Sequence, residues 1–140
     1  DSTVRITKAT AEAGATVVVK EKILTHGKQY AETRFEIDLN GEGSSTNLVS
    51  RSVAKENSKQ KFVSIINGNA KCMGHSECDS IIMDNGVVTA LPEITANNVD
   101  ASLIHEAAIG KIAGEQIIKL MTLGLTEAEA EAQIVNGFLK

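Results

Sequence analysis

Residues 33–43 read Thr-Arg-Phe-Glu-Ile-Asp-Leu-Asn-Gly-Glu-Gly, in which polar and apolar residues alternate before a cluster of turn-forming residues. Alternation with a period of two is typical of a strand that is buried on one side. Asn and Gly accept the positive φ angles that tight turns require. The segment therefore predicts a β-strand from Thr33 to Leu39 that ends in a turn.

The same pattern recurs along most of the chain. Between Val4 and Ala107 there are about nine short apolar or alternating runs, bounded by Gly, Asn, Asp or Ser and spaced roughly 8 to 12 residues apart, which is typical of a β-sandwich, barrel or solenoid. Val, Ile and Leu fill these runs with few rings, which favours a solenoid with aliphatic ladders between its coils. No strict short period is visible, so we expect an irregular parallel β-helix, with an antiparallel sandwich as the alternative.

After Gly110 the periodicity becomes helical. Apolar residues at helical spacing predict a helix from about Ala113 to Leu123, with Gly124 just beyond its end. Thr126 and Glu129 form a capping-box pattern, which predicts a second helix over 127–138. We therefore divide the chain into a β-helix domain, 1–110, which contains the C-terminal coils of a longer one, and a C-terminal helical segment, 111–140.

Composition and charge exclude several classes of function. Aromatic residues make up 3% of the chain and the formal net charge is −4 at pH 7, so few rings can stack on bases and the charge repels phosphate groups. No apolar run approaches the roughly 20 residues that span a bilayer, and no apolar signal segment is present. We expect a cytoplasmic protein that binds neither nucleic acid nor membranes. Because the chain begins at Asp1 and not at Met, we expect it to be part of a longer polypeptide.

The densest group of possible metal ligands is Cys72-Met73-Gly74-His75-Ser76-Glu77-Cys78. Thiolate and imidazole are the usual ligands of zinc and iron. In an extended strand Cys72 and Cys78 share one face and His75 lies on the other, so one zinc ion collects all three only if Gly74 supports a turn or bulge. The alternative is that Cys78 is a buried core thiol and His75 a surface residue.

A second group is His105-Glu106, close to the transition from strands to helices. Adjacent strand residues face opposite ways, so at most one of the two enters a shared site unless the strand ends there. A structural histidine bonded to a neighbouring carbonyl is the alternative. Gly110-Lys111 lacks the glycine and hydroxyl positions of a P-loop, so we expect no ATPase activity and no enzyme activity in this chain.

Six segments in unbroken order are informative together: RSVAKENS at 51–58, GHSECDSII at 74–82, IHEAAIGKI at 104–112, GEQ at 114–116, LGLTEAEA at 123–130 and IVNGFL at 134–139. These segments resemble the SufB/SufD family of iron–sulfur cluster assembly proteins. The resemblance implies a right-handed parallel β-helix followed by a short helical hairpin. It also implies a complex with an ABC-type ATPase subunit, SufC, which the helical region contacts.

The resemblance further implies that a cluster is assembled at the interface of two β-helix subunits. His105 corresponds to the histidine that the family places there, and Glu106 matches the following glutamate of the SufB-like pattern. The SufB cysteine six residues before Pro92 is replaced here by Gly86, so this chain resembles a SufD-like partner unless Cys72, Cys78 or a segment outside the chain supplies ligands. A thiolate would be both nucleophile and ligand.

We therefore expect an iron–sulfur cluster assembly subunit, working as a scaffold or as a partner subunit with a second SufB/SufD-like chain in a homodimer or heterodimer. The cluster is expected to be transient and absent from some preparations. His105 and Glu106 are the candidate metal ligands, with Cys78 and Cys72 as further candidates. A structural scaffold without metal and a small zinc domain at Cys72, His75 and Cys78 are the alternatives.

Overall fold

The computed structural model describes residues 1–140 and shows eight β-strands followed by two α-helices. The strands are β1 Ser2–Ala11, β2 Thr16–Thr25, β3 Tyr30–Leu39, β4 Ser44–Ala54, β5 Lys59–Gly68, β6 Cys72–Ile82, β7 Val87–Ala96 and β8 Ala101–Lys111. The helices are α1 Gly114–Met121 and α2 Glu127–Phe138. The strand predicted from Thr33 lies within β3, and eight strands take the place of the roughly nine predicted runs.

The strands form two parallel sheets. Odd-numbered strands pair in the order β1-β3-β5-β7, here called sheet A, and even-numbered strands pair in the order β2-β4-β6-β8, here called sheet B. Each successive pair of strands is therefore one coil of a solenoid, and four coils stack along its axis. The predicted parallel β-helix with a helical C-terminus is confirmed, and the antiparallel sandwich is excluded.

The coils repeat at a nearly constant interval. Ser2 lies beside Tyr30 and Tyr30 beside Lys59 in sheet A, and the asparagines that bond to an Asn or Asp of the neighbouring coil lie 28 or 29 residues from it. The expected irregularity is therefore confined to single-residue differences between coils. The period is sometimes 28 and sometimes 29 residues, and the residues that recur share a chemical class but not an identity. Such a period is hard to recognise in the sequence.

The interior of the coils holds aliphatic residues, two rings and a row of hydroxyl groups. Its largest fully buried side chains are Phe35, Ile37, Leu39, Leu48 and Ile66. Phe35 also contacts Phe62, with 6.0 Å between ring centroids. Burial of these side chains supplies most of the free energy of folding.

A charged group also lies in this interior. The Glu21 carboxylate is buried, accepts hydrogen bonds from Thr33 at 3.0 Å and Ser50 at 2.7 Å, and pairs with Arg5 at 2.5 Å. A buried carboxylate is tolerated when it is paired and hydrogen-bonded in this way.

Turn residues form ladders from coil to coil. Gly27, Glu56 and Asp84 all have positive φ, near 60°. The carboxylate of Asp84 accepts a hydrogen bond from the backbone N–H of Glu56 at 3.1 Å, and that of Glu56 accepts one from the N–H of Gly27. Each acidic side chain therefore satisfies a backbone donor in the turn of the preceding coil.

The start of α2 and the glycine turn after α1 are as the sequence predicts. The Thr126 hydroxyl accepts from the backbone N–H of Glu129 at 3.1 Å, which caps α2, and Gly124 has a φ of 96° beyond α1. Ala130 and Val135 of α2 are buried, whereas α1 has no buried residue. Neither helix combines the length and the hydropathy that crossing a membrane requires.

A ladder of asparagines tests how much the stacked turns stabilise the coils. Asn69 donates to Asn40 at 2.7 Å and accepts from Asn97 at 2.7 Å. Because Asn69→Ala removes two hydrogen bonds and Asn97→Ala removes one, we expect the former to lower the free energy of unfolding by about 1 kcal/mol and the latter by less. Urea denaturation measures both, and an equal or reversed order would contradict a role for the ladder.

Candidate functional site

Strand β8 carries two chemically different faces at the last coil. His105 lies beside Ser76 and Glu106 beside Glu77 in the parallel register with β6. Since Ser76 is buried inside the coil, His105 faces the interior and Glu106 faces outward. The two candidate ligands are therefore separated by the sheet and do not share one site.

The His105 ring makes one hydrogen bond and leaves one nitrogen open. Its Nδ1 lies 3.1 Å from the Ser76 hydroxyl, which itself donates to Ser64 at 3.0 Å. Nδ1 must then carry the proton and donate it, so Nε2 holds a free lone pair. Nε2 is buried and has no hydrogen-bond partner. An imidazole with an unused lone pair can accept a proton or bind a metal.

Burial of the ring lowers the pKa of His105 from its ordinary value of 6.5. Coulombic repulsion from nearby His75 acts in the same direction, and Glu106 opposes it. Desolvation disfavours the charged form of an imidazole. The ring is therefore neutral at pH 7, which is the form that binds metals.

The outer face of sheet B brings Glu106 together with His75 and Glu77. The donor atoms of these three side chains all lie within 4.8 Å of one another. His75 Nε2 is 3.4 Å from Glu106 Oε2, and His75 Nδ1 is 2.8 Å from the side-chain oxygen of Asn47. We call His75, Glu77 and Glu106 the outer triad.

The outer triad has both acidic and basic neighbours. A hydrogen bond with Asp79, followed by burial and repulsion from that carboxylate, raises the pKa of Glu77. Two carboxyl groups that share a proton hold it to a higher pH than an isolated one does. On the other side of β6, Arg51 lies beside Asp79, and Glu77 lines a pocket with the basic residues Lys20, Lys22, Arg51 and Lys140.

The two cysteines do not join either group. Cys72 and Cys78 are both buried inside the coil, about 20 Å apart at 3.3 Å per residue of regular strand. Gly74 introduces no bulge, since β6 pairs without interruption on both sides, and His75 faces outward. The condition for a zinc site at Cys72, His75 and Cys78 is therefore not met. Burial also raises the pKa of Cys78, which disfavours its thiolate.

Gly86 leaves no space for a side chain. A Cβ at this position would stand 2.3 Å from the carbonyl oxygen of Ala54 and 2.8 Å from its carbonyl carbon. These are backbone atoms, which cannot rotate away as the end of a flexible side chain can. The position at which the resemblance places the SufB cysteine is therefore closed to cysteine in this conformation.

The sequence does not reveal the outer triad, because its members belong to different coils. Sequence reasoning assigns His75 either to a zinc site with the cysteines or to the surface, pairs Glu106 with His105, and does not select Glu77. Asn47 and His75 are 28 residues apart, and His75 and Glu106 are 31 apart. Only the 28- or 29-residue repeat shows that such residues become neighbours.

The sequence of this chain matches a known protein family. The family model described as SUF system FeS cluster assembly, SufBD core domain, matches residues 2–138. An iron–sulfur cluster assembly SufBD family protein of Archaeoglobus fulgidus is 34% identical over 130 residues, which are 92% of this chain and 35% of that protein.

Two further relatives are also described as iron–sulfur cluster assembly proteins. A SufBD family protein of Methanothermobacter thermautotrophicus is 40% identical over 103 residues, or 72% of this chain and 25% of that protein. The iron–sulfur cluster assembly protein SufB of Bacillus subtilis is 36% identical over 100 residues, or 69% of this chain and 22% of that protein. The chain thus spans between 22% and 35% of the length of these three relatives.

Substitution of Gly86 tests whether the position is closed. Gly86→Ala forces a Cβ against the Ala54 carbonyl, and we expect it to lower the free energy of unfolding by about 1–3 kcal/mol, as overpacking does. Gly110→Ala is the matched control, because a Cβ there meets no atom within 4 Å. Urea denaturation compares the two variants, and equal stabilities would show that the backbone at Gly86 yields easily.

The neutral state of His105 predicts a pH dependence of stability. The pKa of His105 is lower in the folded protein than the 6.5 of an exposed imidazole. As the pH falls below about 6.5, the unfolded chain therefore binds a proton at this residue before the folded chain does. Stability must therefore fall as the pH drops through this value. Relative to His105→Gln, the unsubstituted protein should lose stability between pH 7.5 and pH 5.5 in urea titrations. A parallel pH dependence of the two proteins would contradict a depressed pKa.

Proposed function

The chain belongs to the SufBD core-domain family of the SUF iron–sulfur cluster assembly system, and from this premise we propose that it is a SufD-like partner subunit. In this proposal it supplies an imidazole, but no thiolate, to a cluster built between two subunits. Family membership supports a role in iron–sulfur cluster assembly. The cluster is cargo that the complex builds and passes on, and the expected location in the cytosol remains a prediction.

The open Nε2 of His105 is the observation that carries the proposal. The nitrogen lies on the last coil, where no further strand covers β8, and its lone pair has no partner in the chain. Imidazole nitrogens replace thiolates as ligands in some iron–sulfur clusters. A second subunit that closes the end of the solenoid would bring its own ligands to this nitrogen.

The last coil also has the features of a surface that pairs with another chain. Strands β7 and β8 are the edges of sheets A and B at this end of the solenoid, as β1 and β2 are at the other, and an unpaired edge presents free backbone donors and acceptors. Large apolar side chains are exposed beside them, among them Leu91, Val99 and Ile104. We propose that a second SufB/SufD-like chain covers this edge.

The helical hairpin is the proposed contact for the ATPase. Ile118, Met121 and Leu123 are exposed apolar residues on or just after α1, and Leu123 is 76% exposed. A cluster of exposed apolar residues of this kind marks an interaction surface. Since Gly110-Lys111 lacks the P-loop pattern, we propose that an ABC-type ATPase subunit hydrolyses ATP and docks at α1.

Co-expression tests these assignments together. The chain, a SufB-type subunit and the ABC-type ATPase are co-purified and then loaded anaerobically with iron and sulfide. His105→Gln should leave all three proteins associated but reduce the iron and acid-labile sulfide bound to the complex at least severalfold, because one cluster ligand is lost. Leu123→Ser should release the ATPase and leave the two β-helix subunits paired.

Val18→Ser is the control for Leu123→Ser, since Val18 is also exposed but lies on β2, at the edge of sheet B opposite β8. A complex that assembles clusters at full yield with His105→Gln would contradict the role of the imidazole and favour a scaffold without metal ligands. Release of the ATPase by Val18→Ser as well as by Leu123→Ser would contradict docking at α1.

A further inference from the structure

The outer triad lies on the opposite side of β8 from the open nitrogen of His105, so the assembly role proposed above does not use it. His75 and Glu77 are two residues apart on β6 and share its outer face, and Glu106 lies beside Glu77 on β8. All three side chains arise from paired strands, which hold their Cα atoms in fixed positions. Their donor atoms already lie within 4.8 Å of one another.

Asn47 sets the direction of the His75 lone pair. The side-chain oxygen of Asn47 can only accept, so Nδ1 of His75 donates to it at 2.8 Å. In the neutral ring, Nε2 then presents its lone pair to Glu106 Oε2, 3.4 Å away. Metal-binding histidines are oriented in this way by a hydrogen bond at the other ring nitrogen.

Three electron-pair donors that face one another attract a cation. The ion pairs formed by Lys and Arg in this structure involve Glu21, Glu32 and Glu36, and none reaches Glu77 or Glu106. A proton on Nε2 bridges only His75 and Glu106, and a proton between Glu77 and Asp79 bridges only those two carboxyl groups. A metal ion draws on all three donors of the triad at once.

The donor set selects the class of metal. One imidazole and two carboxylates suit Fe²⁺, Mn²⁺ and Zn²⁺, while the absence of a thiolate disfavours Cu⁺ and the imidazole disfavours Ca²⁺ and Mg²⁺. The Glu106 side chain is 62% exposed, which leaves coordination positions open to water or to an incoming ligand. Such a site exchanges its ion more readily than a closed structural site does.

We propose that His75, Glu77 and Glu106 form a binding site for one divalent transition-metal ion on the outer face of sheet B, and that ferrous iron is its occupant. The choice of iron rests on the proposed function in cluster assembly. The site holds iron one strand position away from His105, on the outside of the coil. It therefore serves as a loading site, separate from the position at which a cluster is built.

Anaerobic titration of the purified chain tests this site. Fe²⁺ is added as the ferrous salt and bound iron is counted after equilibrium dialysis, with Co²⁺ absorption as a second probe of the ligand field. We expect one ion per chain. His75→Gln and Glu77→Gln each remove a ligand and should weaken binding at least tenfold, and Asn47→Ala should weaken it about tenfold by freeing the His75 ring.

Two matched controls locate the ion. Glu93→Gln removes an exposed carboxylate from β7 in sheet A, and His26→Gln removes an exposed imidazole from the turn after β2, so neither should change the affinity. Absence of saturable binding, or binding that His75→Gln leaves unchanged, would overturn the proposal, as would an equal loss of binding in His26→Gln. Because the titration uses the chain without partners, its failure is distinguishable from failure of the co-purified complex to assemble clusters.

Discussion

Parallel stacking of coils in register is the constraint on which the rest of the structure depends. Each residue of a strand lies directly beside its counterpart in the next coil, at an interval of 28 or 29 residues. Side chains of one column must therefore tolerate one another as neighbours. Hydroxyl groups, asparagines and acidic turn residues meet this requirement by bonding to the coil before them, as Ser52 and Ser80 do at 2.8 Å.

The same register gives β8 two kinds of chemistry within two residues. His105 faces the interior, where partial burial lowers its pKa and keeps the ring neutral, while Glu106 is exposed beside His75. Alternation along the strand keeps the two environments apart, although the residues are adjacent in sequence. The adjacent residues His105 and Glu106 thus place a neutral ligand on the inner face of β8 and a carboxylate that attracts cations on its outer face.

The sequence predicts what depends on local pattern. Alternation at Thr33–Leu39 predicts its strand, and Thr126 with Glu129 predicts the capped start of α2. Alternation along a strand also predicts that His75 faces away from Cys72 and Cys78. The regular pairing of β6 keeps these side chains on opposite faces of the sheet. The outer triad and the closed position at Gly86 depend on which coil lies next to which, and that relation is fixed by backbone pairing between segments distant in the chain.

The open nitrogen of His105 follows from the end of the stack. In its column, Val19, Leu48 and Ser76 precede it in successive coils, and Ser76 bonds to His105 as well as to Ser64 across the interior. A residue in a middle coil has neighbours on both sides, whereas His105 has a neighbour on one side only. Its second nitrogen is buried without a partner in the same coil whose strands, β7 and β8, lack paired strands on one side. Whatever closes the end of the solenoid must satisfy both the strand edges and the imidazole, and this joins subunit pairing to ligand supply in a single surface.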